Sequence, residues 1–240
     1  KHREIGFDPR SVGHTRKLFN NWTDFAITSE MAAQWAAEND WETAVKPFVE
    51  HIREIWCKGN TEYADYVLNW YAHIMQKPWD KTRVSLSVKS RLEGTGKTLV
   101  DESVGHVIGE KYYTEISDES QVLGQFTSVL ANKLLVVMDE AVWGGDKKSH
   151  GKLLGTITGP KQKIECKGVD AIFVDSYINL RQNSNKEHFA CVQDGSRRPF
   201  MLDASPPRSC PPCAPPQPPP QPVFRLCIVQ SKVRVPTVRH

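Results

Sequence analysis

Cysteine is scarce in this chain: six in 240 residues, at positions 57, 166, 191, 210, 213 and 227. They do not form the spaced framework of a disulfide scaffold, so a reducing, intracellular compartment is expected. Cys210-Pro-Pro-Cys213 has zinc or redox spacing, but no second ligand pair accompanies it. No apolar run approaches the length that spans a bilayer, and there is no signal peptide, so no membrane partner is expected. Acids are missing from Pro206 onward, where five basic residues (Arg208, Arg225, Lys232, Arg234, Arg239) stand alone. The formal charge of +3 therefore comes from the tail, and the remainder is 26 basic against 28 acidic residues, or −2. No general basic field advertises nucleic acid, and any such contact must come from a local patch. The chain opens on Lys1 rather than Met, which suggests a piece of something longer.

What is present centres on Glu93-Gly94-Thr95-Gly96-Lys97-Thr98. A triphosphate needs several inward donors, and backbone N–H groups supply them where no Cβ blocks the approach, as at Gly94 and Gly96. Lys97 adds an ammonium for the β- and γ-phosphates, Thr98 a hydroxyl for magnesium, and Thr95 completes the cradle. The helix expected to follow, ended by Gly109, points its positive N-terminus at the same place. Leu99, Val100, Val104, Val107 and Ile108 give it one buried face. Val84 to Val88 alternates like a strand before the loop. The full pattern G-x-x-x-x-G-K-[ST] would place its first glycine at position 91, where this chain has Arg91.

The second half is Leu134-Leu-Val-Val-Met138-Asp139-Glu140. Five apolar residues in a row suit a strand covered on both faces, as in a parallel sheet. Open sheets of this class place ligand groups at the carboxyl ends of their strands. Asp139 would hold magnesium and Glu140 would orient the attacking water. Loop and acidic pair together predict a nucleotide site, provided that they fold face to face.

Residues 1–80 carry six of the seven tryptophans and read as a helical N-terminal domain. One helix has Val45, Phe48, Val49, Ile52 and Ile55 on a face, with Pro47 in its first turn. Another runs from Glu62 to Met75, with Asn60 or Thr61 as cap and Tyr63, Tyr66, Val67, Trp70, Tyr71 and Ile74 at helical spacing. Such a stripe is more often core than a base-stacking surface. His51 and Cys57 lack further ligands for zinc and read as structural. Residues 81–205 alternate strand, loop, helix, helix (119–131), strand, helix (146–158), hairpin, strand and a last segment at 199–203. That predicts an α/β fold, a P-loop nucleotide-binding core with a mainly parallel sheet. Residues 206–240 begin with ten of the sixteen prolines between Pro206 and Pro222 and read as a disordered tail.

Three later segments fit the same site. Asn183-Ser184-Asn185 ends a further strand, and an amide there can hold the attacking water; Asn185 is the candidate and Asn183 the alternate. Arg197 and Arg198 can reach the phosphates of a neighbouring subunit, or pair with Asp194 or Asp203 at the surface. Lys161, Lys163 and Lys167 on a hairpin suit a nucleic-acid backbone, though sheet edges also favour lysine.

This order of parts resembles the helicase domain of viral, phage and plasmid primase–helicases, in superfamily III and the branch attached to phage primase–polymerases. The resemblance runs over about residues 15–204 through Asn21-Trp22, Phe48-Val-Glu-His51, Trp70 to Pro78, Glu93 to Thr98, Met138-Asp-Glu-Ala141 with Trp143 to Lys148, Ile164 to Gly168, Asn183-Ser-Asn185, Ser196-Arg-Arg198 and Leu202-Asp203. It implies an AAA+-like ATPase with ATP and magnesium as cofactors. The partners it implies are single-stranded DNA at a replication fork, further copies in a ring (a hexamer), and a primase domain in the same or a partner chain. It carries Lys97 and Thr98 to the phosphate loop, Asp139 and Glu140 to magnesium and water, Asn185 to the sensor, and Arg197 or Arg198 to a finger acting in trans. Lys163 or Lys167 falls on the DNA hairpin. The location implied is host cytoplasm or a site of viral replication. The alternative expectation is a truncated nucleotide-binding module without turnover, acting in assembly.

Overall fold

A computed structural model describes residues 4–91, 94–139, 147–185 and 198–204. Its centre is a five-stranded, all-parallel sheet made of β3 (Ser85–Lys89), β4 (Tyr113–Ile116), β5 (Leu135–Met138), β8 (Asn179–Ser184) and β9 (Pro199–Asp203), in the order β4-β5-β8-β3-β9. The apolar run of β5 shows why the sheet is closed on both sides. Leu135 and Val137 join one buried cluster, and Val136 and Met138 join the other, as the period of two requires. The architecture is therefore mixed α/β with a mainly parallel sheet, compatible with a P-loop-like core.

The first cluster packs α4 (Lys97–Ile108) and the N-terminal helices against the sheet. Those helices are α1 (Ser29–Glu38), α2 (Trp41–His51) and α3 (Thr61–Gln76). The second cluster is made with α5 (Ser120–Leu123), a 3-10 turn at Ser128–Leu130 and α6 (Lys147–Thr158). The helices of residues 1–80 thus share one continuous apolar core with the sheet. Of the aromatic stripe on α3, Val67, Trp70, Tyr71 and Ile74 are buried, while Tyr63 and Tyr66 lie against Phe200 of β9. They cover the outer strand of the sheet.

Several local readings are corrected. Residues 4–20 are not helical: β1 (Glu4–Gly6) and β2 (Leu18–Asn20) pair in parallel, and the adjoining Phe7 packs on Trp22 and Tyr112. Pro47 is not in a first turn, because Asp40 caps the helix early by accepting from Thr43 N at 3.2 Å. Pro47 then sits inside α2, where its missing N–H leaves the Thr43 carbonyl without a helical donor. After His51 the helix widens into a π-turn at Ile52–Trp56, closed by Cys57 N to Ile52 O at 3.0 Å. The long helix expected over 119–131 is two short turns broken at Gly124, and β4, an edge strand of only four residues, was not expected.

β6 (Lys161–Ile164) and β7 (Ile172–Asp175) form an antiparallel hairpin outside the main sheet. Among the described residues no helix is long and apolar enough to cross a membrane. The Pro-rich tail, Cys210, Cys213 and the strand-like segment 223–229 lie outside the described residues.

Two glycines on different helices probe this packing. A Cβ on Gly105 of α4 would lie 2.7 Å from the Tyr113 ring, whereas one on Gly155 of α6 meets nothing within 4 Å. Gly105→Val should cost about 1–3 kcal/mol through overpacking, and Gly155→Ala should gain about 0.5–1 kcal/mol from helix propensity. Urea denaturation of both variants checks the contrast.

Candidate nucleotide site

The strand register brings the two halves of the motif to one edge of the sheet. Lys89 of β3 pairs with Ser184 of β8, and Met138 of β5 pairs with Gln182 of β8. The chain therefore leaves β3, β8 and β5 side by side, and the phosphate-loop segment, Asn185 and Asp139 all emerge at the carboxyl ends. β8 separates the loop from Asp139 by two strand spacings, about 10 Å. That is a point where the strand order reverses, since β4 and β5 lie to one side of β3 and β9 to the other.

In the loop, Gly94 (φ 78°) and Gly96 (φ 66°) both adopt the left-handed conformation that glycine enters without strain. Gly96 is the N-cap of α4, and Lys97 and Thr98 are its first two residues. Thr98 is exposed. Thr95 is 2% exposed, and its buried Oγ1 has no hydrogen-bond partner. Lys97 Nζ donates to Asn185 Oδ1 at 2.7 Å across 88 residues of sequence. Arg91 is exposed and does not share the positive φ of the two loop glycines, so its position makes no demand for glycine.

Asp139 is half-buried, and its N–H donates to Ile116 O at 2.9 Å, which fixes it at the end of the β4–β5 ladder. It shares its surroundings with other acids. Burial, and then the charges of Asp139, Asp101 and Glu102, raise the Glu115 carboxyl above its ordinary value. Glu140 and Arg197 lie outside the described residues.

Asn183 does not meet Lys97. It is fully buried, and its Nδ2 donates to Asp101 Oδ2 at 2.8 Å. Arg198 is exposed at the amino end of β9, where its carbonyl accepts from Ser85 N at 2.9 Å. Because β9 runs parallel to β3, Arg198 stands at the opposite end of the sheet from the loop that follows β3, about 13 Å away along the strand. The same chain's loop and Arg198 are not brought together.

The hairpin lysines are exposed. Lys161 pairs with Asp175 at 3.0 Å, Lys163 pairs with Glu165, and Lys167 sits in the turn beside Gly168. Phe173 is 69% exposed on the same hairpin, with Ile172 and Val169 nearby. In sequence this apolar run resembles core, and only its place in a detached hairpin shows otherwise. A cavity of about 640 Å³, lined by Thr127, Lys152, Lys161, Lys163 and Phe173, lies beside the hairpin rather than at the phosphate loop.

Sequence reasoning missed the ion pair beneath the site. Arg181 of β8 and Asp101 of α4 are both fully buried, with Nε to Oδ1 at 3.2 Å. Asp101 also accepts from Tyr71 Oη at 3.0 Å. Arg181 Nη1 donates to Gln182 O at 2.6 Å and Leu86 O at 3.3 Å, and its guanidinium lies 4.7 Å from the Trp56 ring. Burial pushes the Asp101 carboxyl above the usual range, while Arg181 and then Asn183 and Tyr71 pull it back. Every residue of β8 is buried, so strand alternation gave no signal that Arg181 lies inside.

Removing one partner of such a pair strands the other. Arg181→Met should cost about 3–5 kcal/mol at neutral pH. A carboxyl with a raised folded-state pKa binds its proton before the unfolded chain does, so that deficit should shrink as pH falls towards the unfolded value of about 3.9. Chemical denaturation of wild type and Arg181→Met across that range checks both statements.

Residues 88–198 match a family of unknown function, DUF5906, which covers less than half of the chain. No curated protein matches. Among solved structures, the chain is similar to the apo structure of the NrS-1 C-terminal region, at 19% identity with a TM-score of 0.65 over 83% of this chain and 47% of that one. The A form of the same region gives 19% identity, a TM-score of 0.64 and the same coverage. A second A-form structure gives 22% identity, a TM-score of 0.57, and coverage of 68% and 37%. The chain spans less than half the length of these structures, and at this identity the likeness is one of fold.

Proposed function

We propose that residues 81–205 form an ATP-dependent DNA helicase core of the superfamily III, AAA+-like kind, working in a replication protein. The observation that carries this reading is the contact between Lys97 and Asn185, which joins the phosphate loop to a polar strand end 88 residues later. The fold likeness to the NrS-1 C-terminal region supports it. So do the parallel sheet and the helix N-terminus at Gly96–Lys97.

The residues fit a magnesium–triphosphate. The orphaned Thr95 Oγ1 and the left-handed glycines offer donors and open backbone to phosphate oxygens. Thr98 and Asp139 would hold the metal, and Asp139 lies close enough to Glu115 for its charge, next after burial, to raise that carboxyl, a repulsion that a dication relieves. Magnesium supplies charge neutralisation to the phosphates when bound. Lys97 orients the β- and γ-phosphates; Asn185 and Glu140 position and polarise water. Arg197 and Arg198 serve a neighbouring subunit in a ring, which agrees with Arg198 standing far from its own loop. Lys161, Lys163 and Lys167 neutralise phosphates of single-stranded DNA, and Phe173 offers a ring on which a base can stack. A primase activity belongs to another domain or chain. The ordinary backbone of Arg91 favours turnover over the reading of an inert nucleotide-binding module.

DNA-stimulated ATP hydrolysis is expected in the wild type. Lys97→Ala, Glu140→Gln and Asn185→Ala should each lose on the order of 100-fold in rate. Equal rates in all four proteins would remove the catalytic assignment. On the hairpin, Lys167→Ala should weaken single-stranded DNA and reduce the salt slope by about 0.7. Phe173→Ala should weaken binding by about 1–3 kcal/mol at every salt concentration. Fluorescence anisotropy against salt separates the two effects.

A further inference from the structure

The carbonyl of Thr95 accepts two hydrogen bonds from the helical layer: from His51 Nε2 at 2.9 Å and from Trp56 Nε1 at 3.3 Å. Both donors are remote in sequence, 44 and 39 residues before Thr95. A peptide unit is planar and trans, so the N–H of Gly96 points the opposite way from the Thr95 carbonyl. Holding the carbonyl towards the helices therefore turns the Gly96 N–H away from them. That peptide turns about ψ of Thr95 and φ of Gly96, and Gly96 has a positive φ of 66°. Glycine makes rotation of a peptide plane cheap. A flipped plane would present an oxygen where an anion needs a donor.

The helical layer is built for this contact. Residues five apart on an α-helix lie about 140° apart around the axis. The π-turn that follows His51 has an i→i+5 bond and brings Trp56 back to the same side. The His51 ring also fills the space beside the loop, since a Cβ on Gly96 would lie 2.5 Å from Nε2. Burial lowers the pKa of His51 and the Thr95 carbonyl pulls it back up, and against a carbonyl its Nε2 must carry a proton. Trp56 is in turn fixed by Arg181, whose guanidinium lies 4.7 Å from its ring and pairs with Asp101 of α4.

We infer that His51 and Trp56 are positioning residues that lock the Thr95–Gly96 peptide so that the Gly96 N–H faces the phosphates of a nucleoside triphosphate. This rests on the reading of Gly94–Thr98 as the phosphate loop. The helical layer thereby governs nucleotide affinity without touching nucleotide.

Calorimetric titration of the full chain with magnesium–ATPγS tests it, alongside steady-state ATP hydrolysis and thermal melting. His51→Phe keeps a ring and removes the donor; it should weaken binding about fivefold to tenfold, the worth of one hydrogen bond. His51→Gln restores an amide donor and should stay within about twofold of wild type. KM for ATP should rise more than kcat falls. Trp56→Phe should act like His51→Phe, and because Trp56 is buried the two His51 variants carry the test if that protein does not fold. Nucleotide binding by His51→Phe equal to wild type, with Lys97→Ala inactive in binding, would overturn the lock alone. Lys97→Ala binding as tightly as wild type would overturn the phosphate-loop reading, and the lock with it. A lower melting temperature with unchanged affinity would reduce His51 to a packing residue and also overturn the lock.

Discussion

The pair of Asp101 and Arg181 is the constraint on which the rest of the site depends. Two charges without solvent are costly, and their mutual attraction and the surrounding hydrogen bonds offset that cost only in part here, since Arg181 Nη2 and Asn183 Oδ1 are buried without a hydrogen-bond partner. Here Tyr71 comes from α3, Asp101 from α4, Asn183 and Arg181 from β8, and Trp56 from the π-turn. A shift of any of these elements breaks polar contacts in a place where water does not replace them. The helix that carries Lys97 and the strand that leads to Asn185 are therefore held in one relative position by chemistry a turn below the surface.

The sheet order does the remaining work. Because β8 is inserted between β3 and β5, the loop and Asp139 are neighbours once removed, with Asn185 rising between them. Parallel strands put all three exits at one end, and the same rule sends Arg198 to the other. The fold thus puts Lys97, Asn185 and Asp139 at one end of the sheet and Arg198 at the other. The hairpin of β6 and β7 pairs outside the sheet, with Ile164 and Val174 on the second cluster and Ile172 and Phe173 left exposed.

Legibility in the sequence followed the strength of local pattern. The apolar run of β5 allowed no partner but a two-sided core, and α3 announced itself by helical spacing and an Asn60 cap that accepts from Tyr63 N at 3.0 Å. The loop glycines were readable because positive φ has few other solutions. What escaped were features fixed by distant contacts. β4 is four residues long and owes its state to pairing with β5. The π-turn gives no composition signal. Arg181 in a strand reads as surface until Asp101, 80 residues away, is placed over it. Pro47 suggested a helix start, but Asp40 had already provided one.

The stacking of Tyr63 and Tyr66 on Phe200 ties the last described strand back to the third helix. β3, the middle of the sheet on that side, meets its neighbour β8 at a separation of 95 residues (Leu86 with Arg181) and β9 at 114 (Ser85 with Pro199). Until nearly all of the described chain has been made, Tyr63 and Tyr66 of α3 and the edges of β3 lack these partners. Closure of so long a loop is slow, and unpaired parallel strands invite association in the meantime. The sheet is therefore complete on that side only once residues 199–203 are in place.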